Sequence, residues 1–395
     1  MAGVGTIVSL GFGTLIPFVA IYLKNEAGLS PQSVGGVMLI SAVIGAAGRM
    51  VGGELTDRIG RVFVIRGVLI LRILTFVLMA LLSAARAHWG WIITGFALTR
   101  FFGAAIQPAV GALVADVVAP ANRVKAYGLL KVGQNVGWAI GAASGGFILH
   151  SLGYPALFSV PAVVGVIGLV LAWIWLSETA AEVQRGQFDI RDVLSVFTDG
   201  RFVVFCGCCL LLFLLMGQYL MTLSLYMTEH IRIDEAHVGM VYSMNGAMVA
   251  LFQWPISLLI AGMALRKPLV AGCLFYVVGY LAIAWAGGFG PLLWCMVIIT
   301  LGEMVFTPAA STAVAAMAPG DRIGRYMGLY GLCESVGWSV GPAIGGVLLG
   351  LYAIRPDLTA VVVWGPVAAL GVVAGAGFWL VMGPGRPRTA PQECS

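Results

Sequence analysis

One apolar, glycine-rich segment occurs twice in this chain, and the two copies lie about 200 residues apart. The matching residues are Gly128, Gly137, Trp138, Gly141, Gly145 and Gly146 in the first copy and Gly328, Gly337, Trp338, Gly341, Gly345 and Gly346 in the second. The preceding segments match as well, since Pro108 corresponds to Pro308 and Tyr127 to Tyr326. Two copies of a multi-helix unit joined within a membrane are the usual construction of secondary transporters, in which the working site lies between the copies.

The composition excludes a water-soluble protein. Hydrophobic residues make up 60% of the chain and charged residues 10%, and the mean hydropathy is +0.98, values outside the range of soluble domains. A helix that crosses a bilayer needs roughly 20 apolar residues. Stretches of this kind occur near 4–23, 31–53, 64–85, 89–118, 125–149, 156–177, 202–227, 237–262, 268–286, 290–317, 323–350 and 358–382. We therefore predict an all-α integral membrane protein with twelve transmembrane helices in two six-helix repeats.

Basic residues are distributed unequally between the two ends of the predicted spans. Only Lys24, Arg86, Arg232 and Arg355 fall on one side, and most of the others fall on the opposite side, which is a strong positive-inside signal. Both termini are therefore predicted to be cytoplasmic, with the chain in the inner or plasma membrane of the cell. Residues 1–23 lack the basic region and cleavage site of a signal peptide and are predicted to form span 1.

The longest polar connection, 178–201, falls between spans 6 and 7 on the predicted cytoplasmic side. We predict that this linker separates an N-terminal six-helix bundle at 1–177 from a C-terminal six-helix bundle at 202–382, which is followed by a cytoplasmic tail at 383–395. Because six spans separate the two copies, the halves are expected to be related by an axis along the membrane normal.

The residues give no indication of a metal centre, a cofactor or catalysis. Cys206, Cys208 and Cys209 lie close together, but no histidine or second cysteine pair completes a ligand set, and they are predicted to be small buried thiols. No paired nucleophile and base, phosphate loop or basic cluster interleaved with aromatic residues occurs, which argues against an enzyme and against a nucleic-acid partner. The expected partners are the lipid bilayer and a small-molecule substrate, and a monomer is expected.

Between spans 2 and 3 the chain reads Gly53-Glu54-Leu55-Thr56-Asp57-Arg58-Ile59-Gly60-Arg61. This loop resembles motif A, the cytoplasmic signature of the major facilitator superfamily. Its glycines permit a tight turn, and an acid followed by two bases can clamp helix ends and neighbouring charges. The resemblance implies a gating loop that includes Gly53, Arg58 and Gly60. It also implies that Asp57 caps the cytoplasmic N-terminus of span 11, and that Arg61 pairs with Asp116 at the end of span 4 and locks the halves on the inner side.

The repeated glycines also resemble a motif of the same superfamily. Gly341-Pro342 followed by Gly345-Gly346 is similar to motif C of the drug–proton antiporter branch, which normally lies on span 5, where this chain has Ala142 in place of the proline. Arg100 followed by Gly103 looks like motif B, although the glycine comes one residue early. The four-residue spacing predicts two smooth stripes for helix packing. These stripes are formed by Gly137, Gly141 and Gly145 on span 5 and by Gly337, Gly341 and Gly345 with Pro342 on span 11.

Three ionisable residues lie well inside predicted spans, namely Arg100, Glu303 and Glu334. Each costs at least ~2.5 kcal/mol at the centre of a bilayer and is a functional candidate by default. Their repeat partners are Thr300, Gly103 and Gln134, so the scaffold is symmetric while the charges are not. Arg72, nearer the cytoplasmic end of span 3, is predicted to snorkel towards water.

Polar residues form one face on span 10 and a similar face on span 4. On a helical wheel Thr300, Glu303, Thr307 and Ser311 fall on one side, and on span 4 the corresponding face holds Phe96, Arg100, Ala104 and Gln107. In the superfamily spans 1, 4, 7 and 10 line a central cavity, so the resemblance implies that both faces line it. Further polar residues come from spans 7 and 8, and these are Gln218, Thr222, Tyr226, Tyr242, Asn245 and Gln253.

A carboxylate that is removed from water can exchange protons near neutral pH, so Glu303 is the predicted coupling residue. The alternatives are a structural acid at Glu303, an interhelical hydrogen bond at Glu334, and a counter-ion, substrate contact or helix tether at Arg100. The leading hypothesis is a secondary active transporter that uses the proton gradient to export lipophilic, cationic or zwitterionic compounds by alternating access. A nutrient or metabolite symporter or a lipid flippase on the same scaffold is the alternative, ahead of a membrane receptor or enzyme.

Overall fold

The computed structural model describes residues 2–118, 123–178, 198–319, 323–355 and 359–383, and within these ranges it contains helices and turns but no strand. The helices are α1 Ala2–Asn25, α2 Pro31–Ile59, α3 Arg61–Ala84, α4 Trp89–Val117, α5 Arg123–Trp175, α6 Gly200–Met216, α7 Thr222–Tyr226, α8 Glu235–Ala261, α9 Arg266–Ile283, α10 Phe289–Met317, α11 Ile323–Ile354 and α12 Val361–Val381. A 3-10 turn at Gly217–Tyr219 and a π-helical turn at Met227–Ile231 complete span 7 around α7. The predicted all-α fold is confirmed.

Eleven segments of the described chain are long and apolar enough to cross a membrane. One of them, Val132–Trp175, has 44 residues and would be about 66 Å long if it were straight, twice the thickness of a hydrocarbon core of ~30 Å. It turns at Gly153, where φ is 76° and ψ is −175°, a left-handed backbone that glycine adopts at little cost. Spans 5 and 6 lie on either side of this turn, so the twelve predicted spans are accounted for.

The chain forms two compact units that do not coincide with a single cut of the sequence. The first unit contains residues 1–185 and 223–250, and the second contains residues 186–222 and 251–395. Spans 7 and 8 are therefore divided between the units. Residues 179–197, most of the predicted linker, lie outside the described residues. The bounds of the two bundles, the linker and the tail that the sequence predicts remain a prediction.

Within the first unit, α1 packs closely against α5 along the first glycine stripe. A Cβ placed on Gly137, Gly141 or Gly145 would overlap the backbone oxygens of Thr6, Leu10 and Thr14 respectively. The Thr14 hydroxyl donates to the Leu10 oxygen at 2.9 Å, so this hydroxyl keeps a hydrogen bond where the two helices meet. Helices in lipid associate through such close backbone approach, because burial of apolar surface gives them no advantage over contact with lipid tails.

The second unit repeats this contact between α6 and α11. A Cβ on Gly341 would lie 2.7 Å from the Leu214 oxygen, and a Cβ on Gly337 would overlap the side chain of Phe213. Pro342 is buried next to Gly217. The two stripes therefore pack the first span of each repeat against its fifth span in the same way.

Candidate functional site

The polar face of α10 is accessible along only part of its length. Thr300 is 0% exposed, and its hydroxyl donates to the Met296 oxygen one turn earlier at 2.8 Å. Glu303 and Ser311 are half-buried, whereas Thr307 is exposed. The Thr300 side chain is thus enclosed and hydrogen-bonded to its own helix, and its place in a solute path remains a prediction.

Glu303 lies within electrostatic range of the buried phenol of Tyr276 on α9. The two side chains interact electrostatically, and Tyr276 is only 2% exposed. A neighbouring contact fastens the end of α8 to α10, since the Gln253 amide donates to the Met304 oxygen at 3.1 Å. Glu303 thus lies on a well-anchored part of α10 and still reaches accessible space.

The polar face of α4 shows the same change in exposure along the helix. Phe96 is 2% exposed, Arg100 and Ala104 are half-buried, and Gln107 is exposed. The guanidinium carbon of Arg100 lies 5.4 Å from the centre of the Phe12 ring on α1, which is a cation–π distance. Arg100 also carries like-charge repulsion from Arg49 on α2.

Gln218 and Thr222 fasten helices together. Gln218 is 0% exposed, and its amide nitrogen donates to the Leu214 oxygen at 2.9 Å and to the Gly341 oxygen on α11 at 2.8 Å. Its amide oxygen accepts from the Thr222 hydroxyl at 2.7 Å. These hydrogen bonds all go to helix atoms and give Gln218 a packing contact, and its role in a solute path remains a prediction.

The remaining predicted polar residues lie in different surroundings. Tyr226 and Asn245 are both buried in the first unit, where Ser224 and Tyr242 share a buried hydrogen bond of 2.7 Å. Glu334 is exposed on α11 and acts electrostatically on the buried Tyr330, one turn earlier.

The loop that resembles motif A forms two ion pairs within the first unit. Arg61 Nε lies 3.1 Å from Asp116 Oδ2 and joins α3 to the end of α4, while the exposed Arg58 pairs with Glu54 at 2.6 Å. Gly53 faces Pro108, from which an added Cβ would be 3.9 Å away. The side chain of Asp57 lies outside the described residues, so its predicted capping role remains a prediction.

Glu178 is a structural residue that sequence reasoning placed only in the linker. Its carboxylate accepts hydrogen bonds from the backbone N–H groups of Arg61 at 2.7 Å, Val62 at 3.1 Å and Phe63 at 3.0 Å. It therefore caps α3. The residue before this helix is Gly60, which has a φ of 102° and at which an added Cβ would lie 2.8 Å from the Glu178 carboxyl carbon. Nothing local to Glu178 signals this contact, because its partners are more than a hundred positions away in the chain.

Residues 223–250 bring a group of charged side chains to one end of the first unit. Lys24 Nζ lies 3.6 Å from Glu229 Oε1, and His150 Nδ1 lies 3.8 Å from Glu235 Oε2. Beneath these pairs α5 and α8 approach through Gly146 and Gly239, where an added Cβ on Gly239 would lie 3.1 Å from the Gly146 Cα.

Arg72 also differs from its prediction. It is 7% exposed, and its guanidinium lies against Gly103 of α4 and 5.5 Å from the Phe76 ring centre. The expected snorkelling to water is therefore wrong, because the surrounding helices enclose the side chain. Among the described residues no group of His, Cys, Asp and Glu side chains could hold a metal ion.

Comparison with known proteins identifies the family of this chain. The family model described as Major Facilitator Superfamily matches residues 1–230 and 207–393. An uncharacterised MFS-type transporter, YttB of Bacillus subtilis, is 28% identical over 351 residues, which are 87% of this chain and 86% of that protein. The multidrug resistance protein MdtH of Escherichia coli O1:K1 is 25% identical over 370 residues, or 89% and 87% of the two chains.

A solved structure supports the same fold. A bacterial homologue of the human lysosomal transporter Spinster, in an inward-facing and occupied conformation, has a TM-score of 0.78 at 14% identity and covers 96% of this chain and 95% of its own. At this identity the likeness extends to the fold alone.

Proposed function

This chain belongs to the major facilitator superfamily, and on that premise we propose that it exports lipophilic, cationic or zwitterionic compounds in exchange for protons across the inner or plasma membrane. The family and the curated relatives are transporters, so the chain is a multi-pass membrane transporter of small molecules and not an enzyme. The multidrug resistance protein among its relatives favours lipophilic substrates.

The observation that carries the proposal is the gradient of exposure shared by α4 and α10. Phe96 and Met296 are repeat partners and are both enclosed, at 2% and 1% exposed, while their counterparts three turns later, Gln107 and Thr307, are exposed. The basic loops assign the C-terminal ends of both helices to the cytoplasm. With that predicted orientation, the accessible part of each face would lie towards the cytoplasm, where an exporter collects its substrate.

Closure at the opposite end would complete this state. We assign that role to the contacts that residues 223–250 make with α1 and α5, including the Lys24–Glu229 pair and the Gly146–Gly239 approach. Alternating access requires that these contacts separate when the substrate leaves, while the cytoplasmic ends close. The partly exposed Lys24–Glu229 ion pair can separate at small cost, since such pairs contribute roughly 0–1 kcal/mol.

Glu303 is the proposed coupling residue. As a carboxylate it attracts a cationic substrate, and on protonation it loses that attraction, so one site binds either the substrate or the proton. Arg100, on the corresponding face of the first unit, would attract the acidic group of a zwitterion. Exchange at Glu303 links the downhill movement of protons to uphill export without any change in covalent bonds.

The test is transport by purified protein in proteoliposomes, with ethidium as the lipophilic cation and an imposed pH gradient. The wild type is expected to accumulate ethidium against its gradient, and Glu303→Gln is expected to lose uphill transport while it still folds. Glu26→Gln removes an exposed carboxylate outside the site and serves as the matched control. Uphill transport by Glu303→Gln at the wild-type rate would remove Glu303 from coupling. Solute entry together with protons would instead identify the symporter.

A further inference from the structure

An arginine stacks on a tryptophan at one end of the second unit. Arg266 begins α9, and its guanidinium carbon lies 3.2 Å from the centre of the Trp379 ring, close to the end of α12. Trp379 is 54% exposed and Leu380 beside it is 79% exposed. Because α12 is long and apolar enough to cross a membrane, these exposed side chains face lipid. An arginine and a tryptophan at the end of such a helix are typical of the boundary between hydrocarbon and water.

The first unit contains the counterpart of this pair. Arg66, the repeat partner of Arg266, has its guanidinium carbon 4.2 Å from the centre of the Trp173 ring near the end of span 6. Its Nη2 also donates to the oxygens of Ala172 and Leu176, at 3.1 Å and 2.7 Å. The last carbonyl groups of span 6 therefore satisfy this arginine within the first unit.

The end of α12 is occupied by a different arginine. The Val381 oxygen accepts a hydrogen bond from Arg201 Nε at 3.1 Å. Arg266 Nε is enclosed and has no hydrogen-bond partner among the described residues. Within the described part of the second unit, the Arg266 guanidinium thus has the Trp379 ring as its contact and none of the carbonyl hydrogen bonds that Arg66 makes.

Positive charge is concentrated around this helix end. Arg201 and Lys267 are both exposed, and they lie in the first turns of α6 and α9, the helices whose arginines contact the end of α12. Together with Arg266 they place three basic side chains at one end of the second unit. Basic side chains between helix ends at a membrane surface attract anionic headgroups.

The described acidic residues of the second unit leave this positive charge in excess. They are Asp199, Glu303 and Glu334. The Asp199 carboxylate accepts hydrogen bonds from the Tyr326 hydroxyl and the Phe202 N–H, each at 3.1 Å. Glu303 and Glu334 lie well inside α10 and α11. An anion from the surroundings would therefore be attracted to the end of α12.

A phospholipid matches both the charge and the lipid-facing position of this surface. A guanidinium pairs with phosphate oxygens through parallel N–H donors, and a lysine ammonium adds a point charge. The acyl chains of the same molecule would cover Trp379 and Leu380, which a free phosphate would leave exposed. We propose that Arg266, with Lys267 and Arg201, binds the phosphate of an anionic phospholipid whose acyl chains lie against the end of α12.

Lipid titration of the purified protein tests the proposal. Native mass spectrometry compares the binding of phosphatidylglycerol with that of phosphatidylcholine carrying the same acyl chains. The wild type is expected to bind one phosphatidylglycerol at least about fivefold more tightly. Arg266→Gln is expected to lose roughly fivefold of this affinity, since a basic residue near the surface contributes about that factor. Arg66→Gln removes the matching arginine of the first unit, which its own carbonyl partners already satisfy, and should retain the preference.

Two further variants separate charge from stacking and from folding. Arg266→Lys keeps the charge but loses the planar group, so its affinity should lie between those of the wild type and Arg266→Gln. Lys267→Gln leaves the stacked pair intact and should weaken binding even if Arg266→Gln does not fold. Thermal unfolding in phosphatidylcholine establishes that each variant is folded. Equal affinity of the wild type for the two lipids, an unchanged preference in folded Arg266→Gln, or complete displacement of the lipid by inorganic phosphate would overturn the proposal.

Discussion

The two repeats share their helix packing but carry opposite charges within their spans. Gly141 and Gly341 bring corresponding pairs of helices together in the two repeats. The charges inside the spans differ, since they are Arg72 and Arg100 in the first unit and Glu303 and Glu334 in the second. Packing is determined by small residues that both repeats retain, so each unit keeps its architecture while its charged residues differ. Under the proposed function, these unlike charges are the residues that would act on the substrate and the proton.

The largest effect should come from breaking the shared packing. Gly141→Ala and Gly341→Ala each place a methyl against backbone, over the Leu10 oxygen and 2.7 Å from the Leu214 oxygen respectively. Each is expected to destabilise the protein by roughly 1–3 kcal/mol, measured by thermal unfolding in detergent. Gly331→Ala, at a position with open space around the added Cβ, is the matched control. Equal midpoints for all three variants would show that close approach at the stripes is unimportant.

A smaller effect should distinguish two glutamines that the sequence places in the same class. Gln218→Leu removes the amide that donates to the Gly341 oxygen and should cost roughly 0.5–1.5 kcal/mol of stability with the substrate concentration dependence of transport unchanged. Gln107→Leu, on the exposed part of α4, should leave stability unchanged and alter that dependence. A reversed pattern would support the predicted place of Gln218 in the solute path and assign a packing role to Gln107.

The difference between these glutamines also shows what the sequence can predict. The repeat, the apolar lengths and the glycine spacing predicted the helices and the family, because those signals are periodic and local. A helical wheel gives the direction of a side chain but not its neighbours, so Thr300 and Gln218 were grouped with accessible residues. The Thr300 hydroxyl donates to the Met296 oxygen of its own helix, and the Gln218 amide donates to the Gly341 oxygen of α11. No sequence pattern identifies either backbone oxygen as a hydrogen-bond partner. Glu178 and Arg72 depend on segments distant in the chain, which only the folded helices bring together.

The smallest expected effect concerns pH and one helix cap of the first unit. Asp234 precedes α8, and its Oδ1 accepts from the His237 backbone N–H at 2.8 Å and lies 2.7 Å from the imidazole Nδ1. Burial opposes ionisation of Asp234, but these hydrogen bonds outweigh it and lower the pKa of the carboxyl below its ordinary value. A lowered pKa in the folded state means that the ionised carboxylate stabilises the fold at pH values above the ordinary range of aspartate.

That contribution should disappear as the pH falls through the lowered pKa of Asp234, because the protonated carboxyl no longer accepts both hydrogen bonds. Asp234→Asn is therefore expected to unfold at a lower temperature than the wild type near neutral pH, and the difference should shrink on acidification. Since the Asp234 side chain is 38% exposed, solvent screens its charge and the difference should be small. Glu26→Gln, at an exposed carboxylate, provides the baseline. A difference between Asp234→Asn and wild type that stays constant down to acidic pH would show that the cap acts through its shape, with no contribution from ionisation.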